Sequence, residues 1–142
     1  MPSDTQILRS MALFAELTPA EIAKISAIMH PLHVKEGETL TRTGELANAF
    51  YVIHSGSFMI SFEGGQAFTL HTPGDFLGWS LLVAKPHYAG TSIALVDSDV
   101  LALSRADFMR LLQKNLILGD KIMKTVGSGK NSLRYGFSFK SN

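Results

Sequence analysis

Leu40-Thr41-Arg42-Thr43-Gly44-Glu45-Leu46-Ala47-Asn48-Ala49-Phe50-Tyr51-Val52-Ile53-His54-Ser55-Gly56 carries four large apolar residues in a row, Phe50 to Ile53, between two glycines. An apolar run that short, bounded by turn residues, reads as a central strand buried on both faces. Gly44 and Gly56 bound it at turns that need positive φ or close backbone contact. Beyond Gly56, Phe58, Ile60 and Phe62 alternate with smaller or polar residues, the pattern of a half-buried strand. Glu63-Gly64-Gly65-Gln66 then closes a hairpin onto Phe68 and Leu70, and Pro73-Gly74-Asp75 makes a further turn. Thr91 to Val96 and Val100 to Leu103 supply two last strands around Asp97-Ser98-Asp99. From Leu32 to Leu103 the texture is that of an antiparallel sandwich or barrel with eight short strands.

Helices flank this β region. Thr18-Pro19-Ala20-Glu21 combines a Thr cap, Pro in the first turn and Glu placed for a capping box, so a helix is expected from Pro19 to about Met29. Ile22, Ile25, Ile28 and Met29 share one face, and Pro31 prevents continuation. Ser104-Arg105-Ala106-Asp107 opens a second helix with Phe108, Leu111 and Leu112 as its apolar stripe, broken at Asn115. A third is expected from Leu116 to about Leu133, where Ile122, Val126 and Leu133 fall on a heptad-like seam interrupted by Gly119 and Gly129. The organisation expected is one domain over residues 1–142: a helical part at 1–31, β structure at 32–103, helices at 104–135 and a tail at 136–142.

Composition bounds the function. With 46% hydrophobic residues, 142 residues can bury a core, and a net charge of +1 gives no global field for nucleic acid or an anionic membrane. The absence of cysteine removes disulfides, thiolate metal sites and thiol nucleophiles, and fits a reducing compartment, with the cytoplasm expected. No basic start with an apolar run marks a secretory leader, and no apolar stretch is long enough to span a bilayer.

The order helix, glycine-punctuated β region, two helices resembles the cyclic-nucleotide-binding domains of the catabolite activator protein and its relatives. The stretch from Leu40 to Gly56 carries the family's first motif, departing only at Thr41, where the family prefers Val or Ile. The resemblance implies a mainly β fold, a double-stranded β-helix or jelly-roll barrel with an N-terminal helix and two C-terminal helices. Pro73-Gly74-Asp75-Phe76-Leu77-Gly78 is similar to the approach to the family's phosphate-binding cassette, in which a short helix presents backbone N–H groups to a cyclic phosphate. Relatives that bind cyclic nucleotides follow the last glycine with a Glu for the ribose hydroxyl and place an Arg further on for the phosphate. Here those positions hold Trp79 and Tyr88. Loss of the Arg–phosphate pair removes about 1.5–3 kcal/mol and of the hydroxyl bond about 1 kcal/mol more. Lys85 and His87 lie in the same loop and could return a cation, though Lys lacks the planar fork of Arg. Trp79 either fills the cavity or stacks on a ring. Tyr88 either bonds an uncharged or carboxylate ligand or stands at the rim. The candidate lining is Phe76, Leu77, Gly78, Trp79, Ser80, Leu81, Leu82, Lys85, His87, Tyr88, Ala89, Gly90, Thr91 and Ser92.

Other chemistries find little support. His30, His33, His54, His71 and His87 include no helical pair and no metal-ligand spacing, though a barrel could bring His33, His54 or His71 together or offer one to a haem. Gly127-Ser128-Gly129-Lys130 follows no strand and is not a phosphate loop. There is no nucleophile elbow, no catalytic carboxylate pair and no cupin-type His/Glu cluster, so an enzyme is not expected. The reading is a regulatory domain that senses a small effector, cyclic AMP, cyclic GMP or another molecule, and signals to a protein partner by moving its C-terminal helices, with a homodimer possible through the last helix. The chain stops soon after that helix, so direct DNA binding is not expected. The alternative is a ligand-free interaction or dimerisation module on the same fold.

Overall fold

The computed structural model describes residues 3–78 and 87–127. It opens with a helix that the sequence reading did not anticipate, α1 (Asp4–Ser10). The Ser3 hydroxyl accepts from the Gln6 N–H (3.2 Å) and the Gln6 side chain accepts from the Ser3 N–H (2.8 Å), so a capping box starts a helix only two turns long. Ile7 and Leu8 are buried, and a 3-10 turn at Ala12–Phe14 buries Leu13 and Phe14 behind them. The second helix, α2 (Pro19–Ala27), has the expected box between Thr18 and Glu21. It ends two residues earlier than expected because the chain has already turned into β1 (His30–Val34). Pro31 is tolerated there because β1 is an edge strand, paired only with β8.

The remaining strands are β2 (Thr39–Thr41), β3 (Ala49–Ser55), β4 (Phe58–Phe62), β5 (Ala67–Leu70), β6 (Phe76–Leu77), β7 (Gly90–Ala94) and β8 (Ser98–Ser104). They form two four-stranded antiparallel sheets, β1-β8-β3-β6 and β2-β7-β4-β5. Hydrogen bonding among the described residues does not run from one sheet into the other, so the expected barrel is an open jelly-roll sandwich. The edge strands β6, with two residues, and β2, with three and a register shift, are too short to carry a ladder across. The hairpin at residues 63–66 joins β4 to β5 in the register Phe58↔Leu70 and Ile60↔Phe68. Gly44 and Gly56 both have positive φ, and a side chain at Gly56 would overlap Ser98 on β8.

β3 is buried on both faces. Phe50 and Val52 face an outer core built with Ile7, Leu8, Phe14, Ile22, Ile25, Phe76, Leu101, Leu103, Phe108, Leu118 and Ile122. Ile53, with Tyr51 packed alongside, faces an inter-sheet core of Val34, Phe58, Ile60, Leu70, Leu77, Ala94 and Val100. Thr41, the one departure from the family motif, is 2% exposed, with its hydroxyl 2.7 Å from that of Ser92 and donating to the Gly90 carbonyl at 3.0 Å. A polar pair thus replaces the expected aliphatic contact, and each hydroxyl is satisfied by the other.

Two helices follow β8. α3 (Arg105–Lys114) is capped by Ser104, whose hydroxyl accepts from the Asp107 N–H, and stops at Asn115, which donates from its backbone and its side chain to the Leu111 carbonyl. α4 (Leu116–Gly127) lies on α3, with Gly119 against the Leu112 carbonyl. Ile122, on the heptad-like seam of the sequence, is fully buried in the outer core of its own chain. Gly119 permits the close approach of α4 to α3 at this point. The Lys121 ammonium lies 2.7 Å from Glu21 on α2, and this hydrogen bond holds the Glu21 carboxyl below its ordinary value. The Val126 side chain and everything beyond residue 127, including Gly129 and Leu133, lie outside the described residues.

Candidate functional site

The approach to the site is built by the turn before β6. The Ile53 carbonyl accepts from the Gly74 N–H (2.9 Å), and the Ile53 N–H donates to the Asp75 carbonyl (2.8 Å). The Asp75 carboxylate accepts from the Thr72 N–H at 3.2 Å, and burial pushes its pKa up. Phe76 and Leu77 point to opposite faces of the sheet. Phe76 packs edge-on against Phe50 (5.9 Å) in the outer core, and Leu77 enters the inter-sheet core.

Gly78 comes next, with φ of +87°. A Cβ there would lie 3.0 Å from the Ala49 carbonyl oxygen and from the Tyr88 ring, so only glycine combines this backbone angle with this fit. Trp79, Ser80, Leu81, Leu82 and Lys85 lie outside the described residues.

The chain returns at His87, which is exposed and bridged to Leu46. Tyr88 is 8% exposed, and its hydroxyl donates to the Ala49 carbonyl at 2.6 Å. Burial, and after it the neighbouring Tyr51 and the Glu45 carboxylate, push the Tyr88 phenol up to about 12, and burial also raises Tyr51. Position 88 therefore holds a neutral phenol whose proton is already engaged. Ala89 is exposed, Gly90 is wedged between Ile60 and Phe62, and the Thr91 hydroxyl meets both the hydroxyl and the N–H of Thr43 at 3.1 Å. Ser92 is fully buried against Thr41.

Of the sequence-derived lining, the structure thus brings Gly78 and Tyr88 into contact, joins Ser92 to Thr41 of β2 and Thr91 to Thr43 beyond it, and turns His87 and Ala89 outward. Sequence reading missed the segment from Thr43 to Ala49, which supplies the partners of Tyr88 and Thr91. Its contacts are mostly backbone groups, which leave no trace in residue type.

His33 and His54 sit elsewhere. His33 Nδ1 is 3.0 Å from Asp99, whose carboxyl is held below its ordinary value by that hydrogen bond, and His54 lies 3.6 Å from Asp4 on α1. Among the described residues no group of three or more His, Cys, Asp or Glu could hold a metal ion. No helix among them is long and apolar enough to cross a membrane.

A model of the cyclic nucleotide-binding domain matches residues 31–115. The cAMP-dependent protein kinase regulatory subunit of Colletotrichum orbiculare is 30% identical over 106 residues, spanning 74% of this chain and 27% of that protein. The Cyclic AMP receptor protein of Thermus thermophilus is 26% identical over 111 residues, spanning 75% of this chain and 51% of that protein. The chain therefore covers between about a quarter and a half of the length of these two relatives. Among solved structures, the sensor domain of the transcriptional regulator DNR from Pseudomonas aeruginosa superposes with a TM-score of 0.66 at 26% identity, covering 87% of this chain and 86% of that one. The N-terminal domain of a transcriptional regulator from Streptomyces coelicolor, at 24% identity, matches in fold with a TM-score of 0.75. With the motif from Leu40 to Gly56 and the turn leading to Gly78 both in place, the chain belongs to the cyclic nucleotide-binding domain family.

Proposed function

We propose that this chain is a single regulatory domain that senses a small effector at the region around Gly78 and Tyr88, with weak or altered preference for cyclic nucleotides, and that it is not an enzyme. The observation that carries the reading is the Tyr88 hydroxyl on the Ala49 carbonyl: the approach to the cassette is retained, while the position of the phosphate-pairing Arg is filled by an uncharged group. Trp79, Ser80, Leu81, Leu82 and Lys85 complete the proposed lining with Phe76, Leu77 and the segment from His87 to Ser92. The effector is cyclic AMP, cyclic GMP or another small molecule, and the cysteine-free composition favours the cytoplasm.

Signalling through the C-terminal helices is supported by packing. Phe76, two residues before Gly78, meets Phe50, and Phe50 meets Phe108 of α3 at 6.2 Å, so a shift at the cassette reaches α3 and α4 through three rings. A protein partner reads that shift. A second reading, a docking or homodimerisation module, is favoured by the outer face of α4, where Leu116 and Ile117 are 77% and 73% exposed beside a cavity of about 440 Å³ at the α2–α4 junction.

Titration of cyclic AMP and cyclic GMP, followed by the fluorescence of Trp79, the only tryptophan, and checked by calorimetry, tests the first reading. It predicts a saturable response weaker than the micromolar range. Silence up to millimolar concentration removes the cyclic-nucleotide function, and a micromolar response shows that Lys85, His87 or backbone N–H groups replace the missing Arg.

A further inference from the structure

Tyr88 makes more attachments than a rim residue needs. Its N–H donates to the Glu45 carbonyl (2.9 Å), its carbonyl accepts from the Gly44 N–H (3.0 Å), its hydroxyl donates to the Ala49 carbonyl (2.6 Å), and its ring lies against Gly78. The Leu46–His87 bridge and the Thr43–Thr91 contacts flank it on both sides. The backbone bonds alone would fix only the near end of the loop between β2 and β3. The phenol reaches across to the far end, where β3 begins, and does so over the α-carbon of Gly78.

We propose that Tyr88 is a positioning residue, a latch whose hydroxyl, by holding Ala49, closes the loop Gly44–Ala49 against Gly78 before any effector binds. A phenol bond to a half-buried carbonyl contributes modestly when made, and the carbonyl loses a partner where water reaches it only in part, so the closed arrangement is the favoured one. The loop therefore needs no ligand to order it, and an effector group entering between Gly78 and Tyr88 must first displace the hydroxyl from Ala49. That consequence rests on the effector-site reading above; the latch itself does not.

The test is native-state hydrogen exchange on the full chain, without ligand, comparing the wild type with Tyr88→Phe, which keeps the ring against Gly78 and removes only the hydroxyl. The latch predicts that exchange at Gly44, Leu46 and Ala49 rises by about tenfold, while amides of β4, β5 and α3 keep their protection. Thr91→Val, which cuts the neighbouring Thr43 contact and leaves Tyr88 alone, should accelerate exchange at Thr43 without reaching Ala49. Unchanged exchange across residues 44–49 in Tyr88→Phe overturns the latch, as does a rise spread evenly over the whole chain, which marks a merely structural role. Adding cyclic AMP to the same samples separates the two ideas. A wild-type response with no loosening in Tyr88→Phe sinks the latch and leaves the effector site, whereas loosening without any response keeps the latch and sinks the cyclic-nucleotide reading.

Discussion

The two cores on either side of β3 are built from the same strand but do different work. The outer one, around Phe50, is where all four helices and the 3-10 turn gather, and the cassette approach joins it through Phe76. The inter-sheet one, around Phe58, is built of strand residues, with the polar pairs Thr41 with Ser92 and Tyr51 with Tyr88 beside it. One core joins helices to sheet and the other joins sheet to sheet.

Single substitutions can break this division. Phe50 and Phe58 are both fully buried, so Phe50→Ala and Phe58→Ala should each cost about 3–5 kcal/mol in denaturant unfolding. Their reach should differ: Phe50→Ala should also speed hydrogen exchange in α3 and α4, because Phe108 loses its ring partner, whereas Phe58→Ala should leave those helices protected. Equal loosening of the helices by both would erase the distinction.

A smaller effect tests the polar edge of the inner core. Thr41→Val strands the Ser92 hydroxyl and should cost about 1–2 kcal/mol, whereas Ser92→Ala leaves Thr41 its bond to the Gly90 carbonyl and should cost less, and the double variant should cost less than the sum. A double-mutant cycle on unfolding free energies measures that coupling.

The smallest effects are in pH. Asp99 has its pKa lowered in the folded chain, so its contribution is present above its ordinary value and lost as pH falls through the folded one. Tyr88 is raised to about 12, so its contribution is present below its ordinary value near 10 and lost as pH rises between the two. Asp99→Asn should flatten the acid limb of stability against pH, and Tyr88→Phe the alkaline limb.

Much of this was legible in the sequence, for identifiable reasons. The run Phe50 to Ile53 is short, wholly apolar and glycine-bounded, and a strand with two buried faces is the one way to bury it. Thr41 was visible as a departure, but its partner Ser92 is 51 positions away and no local pattern links them. α1 was missed because seven residues give too little periodicity, although its Ser3 and Gln6 were a readable cap. The seam through Ile122 left its partner open, because an apolar stripe packs equally well on another chain or on its own, and the burial of Ile122 in the outer core with Gly119 against Leu112 shows the second for that residue. Position 88 was singled out through the family resemblance, but its partner was not, because the hydroxyl bonds a carbonyl, a group every residue carries.

On the proposed function, the side chain at position 88 governs whether this site accepts a cyclic phosphate. Calorimetric titration of cyclic AMP into the wild type and Tyr88→Arg tests it most directly. A guanidinium–phosphate pair contributes about 1.5–3 kcal/mol, so the account predicts affinity tighter than wild type by about tenfold to a hundredfold. Micromolar binding by the wild type, or no gain in Tyr88→Arg, would contradict it.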